Sequence, residues 1–90
     1  MTSEEVETEI RRCLTRLTDE DASNVPENED LGEAIDLDSL GRLELLSEVE
    51  DRLDLTIYEA DSMESMTIAG MRDIVVRALT KKEHTQGEFA

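Results

Sequence analysis

Ser39 has both the side chain and the position to do chemistry, because it stands where a polar connection meets the second amphipathic segment. A helix that begins there leaves free backbone N–H groups and the positive end of its dipole beside the hydroxyl, which favours a phosphodiester. Ser39 and the preceding Asp38 also suit a helix N-cap, a common role for either residue. The residues three positions after Asp38 and Ser39 are Gly41 and Arg42, so neither residue completes a capping box. From the residues alone, the two interpretations stay close together.

The other residues that could carry catalysis are isolated from suitable partners. His84 lies in a polar C-terminal stretch, and Cys13 lies in an apolar stripe, where we expect a small buried side chain rather than a reactive thiol. The sequence has no Gly-rich phosphate loop, and its pattern does not pair two carboxylates in a pocket. Because a nucleophile without a base is not a catalytic site, we expect a protein that is not an enzyme.

The acid-rich connection could in principle bind calcium. An EF-hand register that starts at Asp36 places Gly41 correctly, but it puts Ser47 where a bidentate glutamate is needed. A register that starts at Asp19 puts Asn24 at the glycine position and also fails. We therefore predict no metal site.

The formal net charge of −15 lies in the middle of the chain, because residues 19–64 hold seventeen acids against two arginines. Without a basic stripe, a nucleic-acid partner is excluded, whereas basic patches on other proteins are suitable targets. A solvated acidic surface without a partner is the alternative. No apolar run is long enough to span a bilayer and no signal segment is seen, so we expect no membrane partner and a cytoplasmic protein.

Hydrophobic periodicity predicts an all-α domain. Helices are expected over Ser3–Leu17, with a Thr2–Glu5 capping box, and over Ser39–Leu53, after a long connection over residues 19–37. A short turn over Tyr58–Met63 and a last helix capped by Thr67 follow. The apolar residues expected in the core of the first, second and last helices are Val6, Ile10, Cys13, Leu14, Leu17, Leu43, Leu45, Leu46, Val49, Leu53, Ile68, Met71, Ile74, Val75, Ala78 and Leu79.

The outer face of the second helix carries one leucine, Leu40, among polar residues. Beside Ser39, this leucine is a candidate docking contact. The polar residues that share its face are Glu44, Ser47, Glu48 and Asp51.

The run Leu37-Asp38-Ser39-Leu40, followed by Gly41-Arg42-Leu43-Glu44-Leu45-Leu46, resembles the attachment-site signature of acyl carrier proteins, and the similarity extends over roughly residues 3–80. It implies an acyl-carrier-like four-helix bundle with three main helices, one short third helix and a long first loop. The carrier domain would span residues 1–82, with a flexible tail over 83–90. Ser39 would accept 4'-phosphopantetheine from coenzyme A, and Asp38 would help the modifying enzyme to bind.

The resemblance also implies the partners. These are a phosphopantetheinyl transferase, an acyl-loading enzyme (an acyltransferase or acyl ligase), and a ketosynthase or other acyl-processing enzyme with a basic patch. Leu40, Glu44, Ser47, Glu48 and Asp51 would face them. We expect a discrete monomeric carrier of acyl or polyketide intermediates, in specialised or fatty acid biosynthesis. An aminoacyl or peptidyl carrier, or an unmodified acidic helical interaction module, stays open as an alternative.

Overall fold

The computed structural model describes residues 1–57 and 66–89, with side chains described as far as Lys82. Within those ranges it contains α1 (Ser3–Thr18), α2 (Leu31–Ala34), α3 (Ser39–Leu53) and α4 (Ile68–Phe89), and no strand. The predicted all-helical class is therefore confirmed. None of the described helices combines the length and apolar content that crossing a bilayer requires.

Helix α1 begins and ends with defined caps. Glu5 N–H donates to Thr2 Oγ1 at 3.1 Å and Thr2 N–H donates to Glu5 Oε1 at 2.9 Å, which confirms the predicted capping box. The helix is followed by its C-cap, Asp19, whose φ of 59° is left-handed. Leu17 was expected in the core but is 36 % exposed, because it lies in the last turn, next to the point where the chain leaves the helix.

The core lies where α1 packs against both α3 and α4. Leu43 was also expected there but is 38 % exposed. The Leu43 side chain lies at the edge of the apolar face of α3, on the side nearer to Leu40. The helical periodicity alone therefore predicted more burial than the structure shows. The other core predictions are confirmed, although Leu53 and Leu79 are only partly buried. The buried apolar residues of the three long helices are Val6, Ile10, Cys13, Leu14, Leu45, Leu46, Val49, Ile68, Met71, Ile74, Val75 and Ala78.

The connection between α1 and α3 is held to the bundle by apolar side chains. Ala22, Leu31 and Leu37 are buried, and Val25 and Ile35 pack against the core. Helix α2 was not predicted, because four residues are too few to show a helical period. Its start is stabilised by its N-cap aspartate, which accepts from two backbone N–H groups of the first turn.

Arginines add polar attachments to the same connection. Arg11 Nη1 donates to the carbonyl oxygens of Ala22 and Val25 at 2.8 and 2.7 Å. Arg72 Nη1 on α4 lies 2.7 Å from both Glu27 Oε2 in the connection and Glu7 Oε1 on α1. These contacts join the connection to two helices and fix the path that leads to α3.

Helix α4 begins after Thr67, whose hydroxyl accepts from Gly70 N–H at 3.0 Å, as expected for its cap. The backbone of residues 83–89 continues α4, and the flexibility expected there stays a prediction. The predicted turn over Tyr58–Met63 lies outside the described residues.

Candidate functional site

The junction before α3 shows which residue caps the helix. Asp38 has extended backbone dihedrals, and its Oδ1 accepts from Gly41 N–H at 2.7 Å, so Asp38 is the N-cap. Ser39 is the first helical residue and its side chain is exposed. The two roles that the sequence left open for this pair are thus divided. Asp38 stabilises the helix terminus, and the hydroxyl of Ser39 faces solvent beside the positive end of the dipole.

Two features of the preceding residues direct the backbone into this junction. Asp36 has a left-handed φ of 54°, a conformation that aspartate tolerates better than most residues. Leu37 follows, is only 8 % exposed, and donates its backbone N–H to Leu31 O at 3.2 Å. Ser39 therefore stands two residues beyond a buried anchor, which fixes the place where its hydroxyl emerges.

Gly41 allows the anchor and the cap to pack against the first turn of α3. A Cβ atom at this position would lie 2.8 Å from Leu37 Cδ1 and 3.2 Å from Asp38 Oδ1. The first distance is too short for a carbon–carbon contact. This packing role of Gly41 was not predicted from the sequence; a glycine inside the first helical turn was the available signal.

The outer face of α3 is less uniformly acidic than the sequence indicated. Leu40 is 65 % exposed and Leu43, one turn further, is 38 % exposed, so two leucines form an apolar patch beside Ser39. Among the polar residues predicted to share this face, the exposed ones are Glu44, Ser47 and Asp51.

Glu48 stands apart from the other predicted partner-facing residues. Its carboxylate is half-buried and lies 2.9 Å from Arg16 Nη2 on α1 and 3.5 Å from Arg52 Nε on α3. Arg52 also contacts Glu9 at 3.0 Å. Glu48 therefore joins α1 to α3, and its charge is largely balanced within the protein.

Cys13 lies in the core beneath this ion-pair network and is 0 % exposed. Burial, followed by the nearby carboxylate of Glu48, raises the pKa of the thiol. A thiol that stays protonated and inaccessible is unreactive, so the prediction of a small buried side chain is confirmed.

Arg42 lies one turn after Ser39 and links α3 to the segment before α4. Its Nη1 donates to the thioether sulfur of Met66 at 2.8 Å, and its Nε is buried without a hydrogen-bond partner in the described part of the chain. The segment before α4 holds two methionines, Met63 and Met66, either of which could pack inward. Met66 is partly buried, whereas Met63 lies outside the described residues.

The junction therefore presents the exposed hydroxyl of Ser39 at the start of α3. Across residues 1–57 and 66–89 no three His, Cys, Asp or Glu side chains gather as metal ligands would. The free backbone N–H groups at the start of α3 suit a negatively charged substituent on Ser39.

Comparison with known proteins gives one result that agrees with this geometry. The family model described as the phosphopantetheine attachment site matches residues 8–75, which is more than half of the chain and includes the junction at Ser39. No curated protein and no solved structure is found to match the chain.

Proposed function

Because this chain belongs to the phosphopantetheine attachment-site family, we propose that Ser39 carries the 4'-phosphopantetheine and that the protein shuttles acyl or polyketide intermediates between enzymes. The observation that carries the proposal is the exposed hydroxyl of Ser39 at the first position of α3, with the capping role already taken by Asp38. Ser39 lies within residues 8–75, which the family model matches, and its accessible hydroxyl stands at a helix terminus that favours a phosphodiester.

The residues around Ser39 fit such a group. When bound, 4'-phosphopantetheine supplies a terminal thiol on a flexible arm, and that thiol holds the cargo as a thioester. The chain itself contributes the hydroxyl, the positive terminus of α3 and an anchor, since Leu37 and Gly41 pack together directly behind the junction. These features hold the root of the arm at one place on the surface.

The exposed face of α3 supports the proposed partners. Leu40 and Leu43 offer an apolar contact of the kind that forms the centre of small interfaces, and the surrounding carboxylates suit a basic rim. We propose that a phosphopantetheinyl transferase, an acyl-loading enzyme and a ketosynthase or related enzyme use this face in turn. Asp38 would help to bind the transferase with a carboxylate that the cap already orients.

The pathway is proposed from the sequence motif rather than from the fold. The Leu-Asp-Ser-Leu form of residues 37–40 and the acidic α3 favour acyl or polyketide cargo, in specialised or fatty acid biosynthesis, over aminoacyl or peptidyl cargo. We propose that the carrier acts as a monomer in the cytoplasm, and that it is a substrate of the transferase rather than an enzyme.

Intact-protein mass spectrometry tests attachment at Ser39. The chain is incubated with coenzyme A, magnesium and a promiscuous phosphopantetheinyl transferase, next to Ser39→Ala and the matched control Ser3→Ala, an exposed serine that is likewise the first residue of its helix. We expect one phosphopantetheinyl mass gain on the wild type and on Ser3→Ala, and none on Ser39→Ala. A gain on Ser39→Ala would overturn the assignment of the residue. No gain on any variant would favour an unmodified acidic interaction module.

A further inference from the structure

Arg42 is held differently from the other arginines whose contacts are described. Within the described part of the chain, its guanidinium contacts the sulfur of Met66 at 2.8 Å, and its buried Nε has no hydrogen-bond partner. This is unexpected in a strongly acidic protein, where most arginines find a carboxylate. Those with a carboxylate oxygen within 4.0 Å are Arg11, Arg12, Arg16, Arg52 and Arg72.

The contacts of Arg42 leave its hydrogen-bonding capacity poorly used. A guanidinium has five N–H donors in a planar fork that matches carboxylate or phosphate oxygens, whereas a thioether sulfur is a weak acceptor. A buried, charged donor without an acceptor is also unfavourable. Arg42 is therefore a cation whose contacts would improve if an anion with two accessible oxygens came within reach.

Such an anion would be introduced by modification of Ser39. Residues three apart on a helix are neighbours, with about 5–6 Å between their Cβ atoms, and Arg42 is the third residue after Ser39. A phosphodiester on Ser39 carries two non-bridging oxygens. The other arginine of α3, Arg52, is paired with Glu9 and lies roughly 20 Å further along the helix.

We propose that Arg42 binds the phosphodiester on Ser39 and exchanges its contact with Met66 for charge-assisted hydrogen bonds to phosphate. The inference rests on attachment at Ser39, as proposed above. No covalent bond to Arg42 forms or breaks. The interaction holds the root of the arm against the first turn of α3 and balances a phosphate charge that would otherwise add to an acidic surface. Arg42 is in this sense a positioning residue of the attachment site.

The test compares the unmodified and modified forms of the whole chain, after mass spectrometry has shown full conversion. The variants are Arg42→Gln, Arg42→Lys and the control Arg52→Gln. Nuclear magnetic resonance follows the methyl signal of Met66, with the buried Met71 as an internal reference, and the Nε–H signal of Arg42 in the wild type. Thermal unfolding gives the change in Tm caused by modification for each variant.

We expect modification to shift the Met66 methyl and the Arg42 Nε–H signals in the wild type while Met71 stays in place. The Met66 shift should disappear in Arg42→Gln, together with any gain in Tm on modification. Arg42→Lys should keep part of both effects, and Arg52→Gln should keep them in full. Unchanged Arg42 Nε–H and Met66 signals in the fully modified wild type would overturn the inference and leave the attachment itself intact. Absence of the mass gain would instead refute the proposed function, and this inference with it.

Discussion

The carboxylate of Asp38 and the backbone N–H of Gly41 are joined by a 2.7 Å hydrogen bond that closes the start of α3. This bond gives the capping role to the residue before Ser39. The hydroxyl of Ser39 has no part in this bond, so a substituent on that hydroxyl would leave the cap in place. The same bond requires the backbone of residue 41 to approach the cap closely, which a side chain would hinder.

Removal of the cap should destabilise the protein. In Asp38→Ala the N–H of Gly41 loses its acceptor, and we expect the free energy of unfolding to fall by about 1 kcal/mol. Urea unfolding followed by circular dichroism measures the change. Asp38→Asn, which keeps a capping oxygen, is the control and should lose less. Equal losses in the two variants would mean that the charge of Asp38, rather than its hydrogen bond, stabilises the helix terminus.

Gly41→Ala should destabilise the protein, although alanine is ordinarily the better helix former. Its Cβ would lie 2.8 Å from Leu37 Cδ1, so the buried anchor would have to move, at a cost of about 1–3 kcal/mol. Leu37→Val removes the opposing atom. The double variant should therefore be more stable than the sum of the two single losses implies, as a denaturant-based double-mutant cycle would show. If the losses of the two single variants simply add in the double variant, the contact between residue 41 and Leu37 is not the source of the strain.

The ion-pair cluster around Glu7 should make stability depend on pH at the acidic end. The hydrogen bond from Arg72, assisted by Arg11, holds the pKa of Glu7 below its ordinary value. Glu7 in the unfolded chain therefore binds a proton more readily than in the folded protein. The contribution of ionised Glu7 to the free energy of unfolding is fully present above the unfolded pKa, and it is lost as the pH falls through the lowered folded pKa.

We expect Glu7→Gln to be less stable than the wild type near pH 7, with the difference shrinking as the pH falls below about 4, through the ordinary glutamate range. Urea unfolding at a series of pH values measures this difference. Glu29→Gln, which removes the same charge from an exposed residue of the connection, should show no such loss at pH 7. A pH-independent difference for Glu7→Gln would show that packing, not ionisation, is responsible.

The apolar patch on α3 should matter to partners more than to folding. Leu43→Ser should lower kcat/KM for modification by the phosphopantetheinyl transferase by about a factor of five, equivalent to ~1 kcal/mol at an interface position. Leu17→Ser is a matched control, because Leu17 on α1 is exposed to nearly the same extent, 36 % against 38 %. Similar stability of the two variants, with a kinetic loss confined to Leu43→Ser, is the expected result. An equal kinetic loss in both variants would contradict a specific role for the patch.

Much of the fold could be predicted because its information is local. The predicted range of α3 matches the observed Ser39–Leu53, and the Thr2–Glu5 capping box was readable from residue types alone. Leu17 and Leu43 were misplaced because a helix wheel gives the direction of a side chain but not where the neighbouring elements end. Helix α2 was missed because its stability comes from the Asp30 cap and the buried Leu31 rather than from periodicity.

The candidate site could be predicted only in part, for a similar reason. The sequence singled out Asp38 and Ser39, but it could not assign the cap to one of them, since that depends on the backbone conformation at residue 38. The contact of Arg42 with Met66, and that of Arg72 with Glu27, each join residues more than twenty positions apart. No short-range pattern encodes such pairs.

The attachments of the long connection have a consequence for proteases. A polar stretch between two helices is ordinarily a preferred site of cleavage, because a protease must draw several residues of extended chain into its active site. Here the arginine contacts at Ala22, Val25 and Glu27 and the buried Leu31 leave only short unattached runs between them. To be cut, the connection would have to release several of these attachments together, so its susceptibility should follow the stability of the whole bundle rather than the polarity of its sequence.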